Sequence, residues 1–407
     1  MLRDNRRDGN GARFANVFKP LLQAETLPPA AYTSQAFYDA ELKHLFARTW
    51  NFFGHESRIP NPGDFFTETF LGVPLLFVRN RGGQVKTFAN SCRHRGTRVA
   101  KGAGNCRGFR CPYHFWNYDL DGRLRGAVGM DQTQEFDAEE YGLIEFETQC
   151  RCGFIFVRLG EEAGSVDAHL GDMPEQLAAY RCENLVLADR VEFDVACNWK
   201  NHIENSVEDF HVPMVHSTTL NKLEGGYEHF SPETRGNWLV MRERHAGTRA
   251  LLNEDVRHAL PRIPGLYGHA AEGTNFVCLF PSTLIALTVD CVWYVELSPQ
   301  GPHRTRVTLG GCFPRESMAE ADFAERAAYY FKRWKIAVSE DNDITEQQLL
   351  GLKSPFAQPG RLSHLEPLIP QMAAWWVSKM MESTNALPLD PDEAALPGDL
   401  RACSHPV

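Results

Sequence analysis

The sequence predicts an α+β protein in which a small all-β domain is followed by a larger domain with an antiparallel sheet and long helices. Between residues 50 and 159, short alternating runs such as FFTETF, VPLLFVRN and YDLDGRLRG are separated by turn signals. Longer alternating runs follow, as in LVLADRVEFDVACN and HRTRVTLGGCF, and AEADFAERAAYYFKRWKIAV carries an apolar stripe at helical spacing. A chain of 407 residues has room for two such domains.

The elements follow from the same patterns in chain order. A helix is predicted over 33–48 behind Thr33 or Ser34 as its cap, and the Asp121-Gly122 step predicts a hairpin turn in the β region. Further helices are predicted over 198–211, 317–352 and 370–384, with strands between 185 and 313. We therefore assign residues 45–160 to the β domain and residues 1–44 and 161–407 to the second domain, with a frayed first dozen residues.

Composition and charge exclude several classes of protein. A net charge of −10 disfavours a nucleic-acid partner. No run of about eighteen apolar residues occurs, and the charged start MLRDNRRDGNGARF lacks the apolar segment of a secretory signal, so neither a membrane span nor export is predicted. The 11 cysteines lack a regular spacing, which favours a reducing compartment. We expect a cytoplasmic protein.

The stretch 91–116, SCRHRGTRVAKGAGNCRGFRCPYHFW, contains two mixed pairs of potential metal ligands. Cys92 and His94 form a CxH step, and Cys111 and His114 form a CxxH step, with sixteen residues between His94 and Cys111. Structural zinc sites usually open with a wider cysteine knuckle, whereas an iron–sulfur centre held by two thiolates and two imidazoles needs this mixture. The spacing predicts the iron–sulfur centre, with a zinc site as the alternative.

The loop between these pairs is strongly basic in an otherwise acidic chain. It contains six basic residues and no acidic residue from 93 to 110, namely Arg93, Arg95, Arg98, Lys101, Arg107 and Arg110. Two interpretations remain open: a solvated loop face, or a docking surface for an acidic electron carrier.

The segment NWKNHIENSVEDFHVPMVH, residues 198–216, offers a second candidate metal site. His211 and His216 would be splayed by about 140° on an ideal helix, so they can share a metal only where the helix is distorted or ends. Pro213 provides a reason for such a break. The segment SEDNDITEQQLLGLKS supplies candidate carboxylates, and two imidazoles with one carboxylate would leave open positions for dioxygen and substrate. These carboxylates are Glu340, Asp341, Asp343 and Glu346. The alternative is a pair of structural histidines.

Taken together, the motifs resemble the catalytic alpha subunit of Rieske non-haem iron oxygenases, the aromatic-ring-hydroxylating dioxygenase family. The resemblance rests on the CxH and CxxH pairs, on WKxxxENxxExxHxxxxH and EDNxxxxEQQxxGLxS, and on PGDF and RHRG, and so extends over almost the whole chain. Phe115 is a departure, because many members carry glycine after the second histidine.

The resemblance implies a Rieske [2Fe–2S] domain and a helix-grip-like catalytic domain that holds mononuclear Fe(II). It implies a homotrimer, with or without a β subunit, in which the cluster of one subunit faces the iron of the next. By motif position the cluster ligands are Cys92, His94, Cys111 and His114, and the iron ligands are His211, His216 and Asp341.

The implied function is that of a terminal oxygenase that uses O2 to hydroxylate or dihydroxylate a small aromatic substrate. Electrons from NAD(P)H would arrive through a separate reductase, with or without a ferredoxin, because the chain contains no GxGxxG fingerprint. One alternative is an N-demethylase or monooxygenase of a quaternary-ammonium or methylated amine substrate. A second is a non-catalytic redox or zinc-binding protein.

Glu208 bears on this choice, because most ring-hydroxylating members carry aspartate three residues before the first iron histidine. Glutamate there, with Glu204-Asn205 upstream, is similar to the branch acting on choline-like and betaine-like substrates. We expect Glu208 to bridge His211 and the partner subunit's His114, and we treat Glu204 as a further catalytic candidate.

Aromatic residues of the second domain are candidates for an arene pocket or a cation-binding cage, or for plain core. They are Phe210, Phe276, Phe280 and Trp293.

Overall fold

Two seven-stranded antiparallel sheets and one three-stranded sheet organise the described part of the chain. The computed structural model describes residues 13–160, 164–220 and 228–382. The expectation of a frayed first dozen residues therefore lies outside the described residues.

The first domain contains the sheet with strand order β1-β10-β9-β4-β3-β2-β5 and the small sheet β6-β7-β8. The strands are β1 (Trp50–His55), β2 (Asp64–Phe70), β3 (Val73–Arg79), β4 (Val85–Ala89), β5 (Ala103–Asn105), β6 (Phe109–Arg110), β7 (Asn117–Tyr118), β8 (Leu124–Gly126), β9 (Glu145–Arg151) and β10 (Phe154–Arg158). The predicted turn joins β7 to β8: Asp119 accepts hydrogen bonds from two backbone N–H groups, and Gly122 adopts φ +76°. A Cβ at Gly122 would lie 2.5 Å from the Phe88 ring, so the turn requires glycine.

The second domain contains the sheet with strand order β11-β17-β16-β15-β14-β13-β12, which is antiparallel throughout. Its strands are β11 (Leu185–Val195), β12 (Glu228–Phe230), β13 (Trp238–Arg244), β14 (Gly273–Leu279), β15 (Thr283–Leu287), β16 (Val292–Gly301) and β17 (Arg304–Pro314). The predicted fold class, a β domain followed by an antiparallel α+β domain, is confirmed.

The α-helices of the described residues are α1 (Ala30–Thr33), α2 (Gln35–His44), α3 (Val166–Leu170), α4 (Met173–Leu177), α5 (Trp199–Asn205), α6 (Val212–Val215), α7 (Arg315–Met318), α8 (Phe323–Leu352) and α9 (Ile369–Met381). Short 3-10 helices connect them at Ala15–Phe18, Leu21–Gln23, Phe46–Arg48, Glu56–Arg58, Ala138–Tyr141, Ala178–Tyr180, Cys182–Asn184, Asn253–His258 and Gly268–Ala271. No helix in the described part of the chain is both long and apolar enough to cross a bilayer.

The predicted helix over 198–211 is wrong in its second half. Helix α5 ends at Asn205, where the Ser206 hydroxyl donates to the His202 carbonyl at 2.8 Å. Helical structure returns only in the single turn of α6, with Pro213 in its first turn. The break therefore precedes Pro213 by several residues, and Pro213 starts a new helix.

The N-terminal segment packs against the second domain through a buried carboxylate. Glu41 of α2 accepts hydrogen bonds from the indoles of Trp199 and Trp376 at 2.9 and 2.8 Å and forms an ion pair with Lys200. Burial of this pair with satisfied partners ties α2 to α5 and α9. The domain boundaries at 45 and 160 stay a prediction.

Candidate active site

The four predicted cluster ligands lie on two tight loops of the first domain. Cys92 and His94 follow β4, in a loop closed by the Cys92 N–H donating to the Thr97 carbonyl at 2.8 Å. Cys111 and His114 lie between β6 and β7, where the Cys111 N–H donates to the Trp116 carbonyl at 2.8 Å. The cysteines are buried, whereas the histidines are partly exposed.

The side chains around these loops fit a [2Fe–2S] cluster. The rings of His94 and His114 are 4.7 Å apart, and the Tyr118 hydroxyl lies 3.3 Å from Cys92 Sγ. Nδ1 of His94 is buried and has no hydrogen-bond partner among the described residues. Because buried polar atoms are normally satisfied, this nitrogen is available for a metal. The thiols then lie on the inner side and the imidazoles at the surface.

Phe115 adopts the left-handed backbone conformation that glycine favours. Its φ is +59°, and its side chain is 54% exposed. A non-glycine residue in this region costs about 1 kcal/mol. The loop thus keeps the geometry for which many family members use glycine, with an aromatic ring at the surface beside His114.

The three predicted iron ligands converge in the second domain. Oδ1 of Asp341 lies 3.5 Å from Nε2 of His211 and 3.1 Å from Nε2 of His216, and the three residues could hold one metal ion. His211 directly precedes the turn of α6 and His216 follows it, so the short helix brings two histidines five residues apart to one point. Two imidazoles and one carboxylate would fill only part of the coordination sphere of a metal ion, so the remaining positions would stay open.

Two further carboxylates orient these histidines. Oε1 of Glu208 lies 2.5 Å from Nδ1 of His211, and Oε2 of Glu340 lies 2.6 Å from Nδ1 of His216. Binding Nδ1 in this way directs both Nε2 atoms at Asp341. Glu340 had been considered only as a possible ligand. Its actual contact spans 124 residues, and no signal in the sequence indicates it.

Glu208 does not lie on a helix, although the helix predicted over 198–211 included it. Residues 206–211 are not helical, and Glu208 reaches His211 because its Oε2 also accepts the His211 backbone N–H at 3.1 Å. The carboxylate therefore binds both the imidazole and the backbone of the residue that directly precedes α6. The adjacent Asp209 also lines the cavity described below.

The charges of the triad formed by His211, His216 and Asp341 depend strongly on one another. Burial alone would lower the pKa of His211, but hydrogen bonds with Asp341 and Glu208 raise it to about 9. The same histidines hold the pKa of Asp341 well below its usual range, although burial opposes this. A divalent cation would take the place of these protons.

The triad opens into a cavity between α8 and the second sheet. Phe276 and Trp293 line it, as expected, together with the apolar side chains Leu220, Met241, Leu284, Ala286, Val295 and Ala337. The other two aromatic candidates do not line it. Phe210 is 41% exposed, and Phe280 is buried in a stack on Trp375 with ring centroids 4.4 Å apart.

Four charged residues of this cavity were missed by sequence reasoning. They are Asp209, Glu243, Arg249 and Arg333. Three residues of α8 that line the cavity recur every four positions, namely Arg333, Ala337 and Asp341. Residues four apart lie on the same side of a helix, so counting back from the predicted ligand Asp341 could have identified Arg333. No comparable spacing in the sequence indicates Glu243 on β13 or Arg249 after it.

The remaining predicted residues have the following positions. Glu204 is buried outside the cavity lining and accepts hydrogen bonds from Tyr32 at 2.8 and 3.0 Å, so its position does not support a catalytic role. Asp343 is exposed, and Glu346 accepts the Ala196 N–H at 2.8 Å, which leaves Asp341 as the acid facing the histidines. The six basic residues of the cluster loop are all exposed.

Comparison with known proteins identifies both domains. Residues 49–137 match the family described as Rieske [2Fe-2S] domain, and residues 182–382 match the ring hydroxylating alpha subunit (catalytic domain). The chain is 26% identical over 390 residues to the glycine betaine monooxygenase oxygenase subunit of Chromohalobacter salexigens, covering 89% of this chain and 87% of that protein.

Two further matches come from different substrate classes. The biphenyl 2,3-dioxygenase subunit alpha of Rhodococcus jostii is 32% identical over 205 residues, covering 49% of this chain and 44% of that protein. The crystal structure of the quaternary ammonium Rieske monooxygenase CntA with its substrate L-carnitine has the same fold, with a TM-score of 0.76 and 22% identity over 90% of this chain and 98% of that one. The chain therefore belongs to the Rieske non-haem iron oxygenases, as a catalytic alpha subunit with a [2Fe–2S] domain and a domain that binds non-haem iron.

Proposed function

We propose that this terminal oxygenase hydroxylates a small quaternary-ammonium compound at a carbon bonded to nitrogen. The observation that carries the proposal is the triad of His211, His216 and Asp341, which opens into a largely apolar cavity. Glu208, similar to the branch acting on choline-like and betaine-like substrates, supports this substrate class. The glycine betaine relative, which aligns over most of both chains, supports it as well.

The residues of the two centres have separate tasks. Cys92, Cys111, His94 and His114 hold the cluster, and the triad holds Fe(II), which supplies dioxygen activation when bound. Glu208 and Glu340 orient the two histidines. The apolar walls exclude water and place the substrate carbon beside the open side of the triad.

The proposed reaction balances with two electrons and two protons. One atom of O2 enters a C–H bond next to the ammonium nitrogen, and the other leaves as water. The resulting carbinol loses a proton as its C–N bond breaks, which gives an aldehyde and a tertiary amine. The electrons originate from NAD(P)H and reach the chain through a separate reductase, with or without a ferredoxin.

Ring hydroxylation of an arene is the second candidate. The apolar lining, including Phe276 and Trp293, would suit an aromatic ring, and the biphenyl dioxygenase relative supports this class over half of the chain. The two candidates differ in their products, since arene dihydroxylation gives a cis-diol and no aldehyde.

A product screen separates the candidates. The purified protein, supplied with NAD(P)H and a generic reductase, is incubated with quaternary-ammonium compounds and with arenes in parallel. We expect aldehyde and amine in equal amounts from the first group. Cis-diols from the second group alone would support the arene candidate. A colourless, zinc-containing protein without product would support the non-catalytic alternative.

The assembly proposed is a cytoplasmic homotrimer, with or without a β subunit, in which Glu208 also contacts the partner subunit's His114. Within one subunit Glu208 already binds His211, and His114 lies partly exposed beside the surface residues Tyr113 and Phe115. His114 is thus open to a second subunit, whereas the Glu208 side chain is 10% exposed and would be contacted only at that small area.

The basic residues of the cluster loop are proposed to dock the electron donor. Reversing the charge of Arg93 and Arg95 should slow turnover with the natural reductase and reduce its salt dependence, because both residues are exposed beside the cluster. Reduction by dithionite, which needs no docking, is the control and should not change. Equal reductase-driven rates at low salt would rule out docking at this loop.

A further inference from the structure

One cationic side chain of the cavity has no partner. Arg333 is 8% exposed and lines the cavity, yet its Nε is buried without a hydrogen-bond acceptor, and the described residues form no hydrogen bond or ion pair with its guanidinium. Burial lowers the pKa of Arg333 to about 10, so it remains a cation at neutral pH. A buried guanidinium with unused donors is costly unless an anion binds it.

The neighbouring acids do not satisfy the hydrogen-bond donors of this guanidinium. Oε2 of Glu243 lies 3.9 Å from Arg249, whose guanidinium is the nearer of the two. Burial raises the pKa of Glu243 to about 7, and the negative charge of Asp209 contributes, so Glu243 is only partly ionised near neutral pH. Glu243 and Asp341 act on Arg333 only through their charges, and neither accepts a hydrogen bond from its guanidinium.

We propose that Arg333 binds a carboxylate carried by the substrate. The planar guanidinium offers paired N–H donors that match a carboxylate in a bidentate arrangement. This rests on the proposed function and narrows its substrate class to small acids, with the ammonium group nearer the triad.

The position of Arg333 sets the length of such an acid. Arg333 and Asp341 lie on one face of α8, eight residues apart, which corresponds to a rise of about 12 Å. The arginine side chain covers part of this rise, and the charges of Arg333 and Asp341 still interact, so the acid has to span only the remainder. Binding of trimethylammonio acids of increasing chain length measures that remainder.

The test compares trimethylammonio alkanoic acids of increasing chain length with their primary amides, which keep the shape but lose the negative charge. Binding of each acid and amide to the holoenzyme is measured by calorimetry, and steady-state kinetics are measured in parallel. Both measurements are made on the wild type, Arg333→Met and Arg333→Lys. Lys332→Met is the matched control, because Lys332 is the adjacent residue of α8 and pairs with Asp255, and neither residue lines the cavity.

We expect the wild type to prefer acids to amides. Arg333→Met should weaken acid binding and raise its KM about 10- to 100-fold, with kcat and the amide little changed. Arg333→Lys should recover part of the loss, and Lys332→Met should behave as wild type. Equal effects of Arg333→Met on acid and amide would reveal a merely structural role and overturn the proposal.

Failure of the subsite and failure of the proposed function give different results. If acids bind the wild type more tightly than amides but no compound is turned over, the subsite stands and the reaction assigned above fails. If the wild-type protein binds or uses acids and amides equally well, the proposed carboxylate subsite is ruled out. This comparison uses the wild-type protein alone, so it does not depend on the folding of a variant.

Discussion

Replacing Glu208 by glutamine is expected to abolish nearly all product formation while both metal centres stay occupied. Glu208 binds Nδ1 and the backbone N–H of His211 and is not one of the three groups that face the open site. Removing its charge should therefore cost about 100-fold or more in turnover rate. Product formation, iron content and dithionite reduction of the cluster are measured together on the same preparation.

The matched control for this variant is Glu340→Gln, because Glu340 makes the equivalent contact with His216. Glu340 is not expected to carry electrons between subunits. Glu340→Gln should therefore weaken iron binding about 10- to 100-fold, yet regain turnover in excess Fe(II). Loss of mononuclear iron from Glu208→Gln would make Glu208 a ligand. Normal turnover would place the electron path elsewhere.

Asp341→Ala is expected to remove the mononuclear iron and all product formation, while the visible spectrum of the cluster is unchanged. Asp341 supplies the only carboxylate of the triad, and Asn205 holds it in place by donating to Oδ1 at 2.9 Å. Without it, two histidines remain, and iron content should fall to about a tenth of the wild-type value or less. Metal analysis and the absorption spectrum give the two readouts.

Two control variants test this prediction. Asp343→Ala alters a neighbouring acid of α8 that is exposed to solvent, and it should leave iron content and activity unchanged. Cys111→Ser should have the opposite phenotype, with a bleached cluster and mononuclear iron retained. An Asp341→Ala variant that kept its iron, or an Asp343→Ala variant that lost it, would move the ligand to another residue.

Local features were predictable because they depend on short stretches of chain. The cluster loops are defined by spacings of two and three residues and by the turns that close them, so the pairs could be recognised without a fold. The contact between Glu208 and His211 was also foreseen, although the helical premise was wrong. A glutamate three residues away can reach histidine in either conformation, and here the His211 backbone N–H also donates to it.

Long-range contacts could not be predicted in this way. The bond of Glu340 to His216 and the burial of Glu204 against Tyr32 each span more than a hundred residues. Which carboxylate of α8 faces the histidines depends on the rotation of that helix over the sheet, and this is set by packing of the whole core. The family resemblance selected Asp341, whereas the sequence pattern alone left four acids open.

The sequence by itself determined the two-domain α+β architecture, the cluster loops and the segment that carries the iron histidines, because periodicity and spacing act over a few residues. Only the tertiary structure decided which aromatic rings line the cavity, that Phe210 and Phe280 do not, and that Arg333 lies unpaired within it. These properties arise where α8 packs across strands distant in the chain. Side chains from separate elements create the burial and the charge balance there, and no single segment of the sequence contains them.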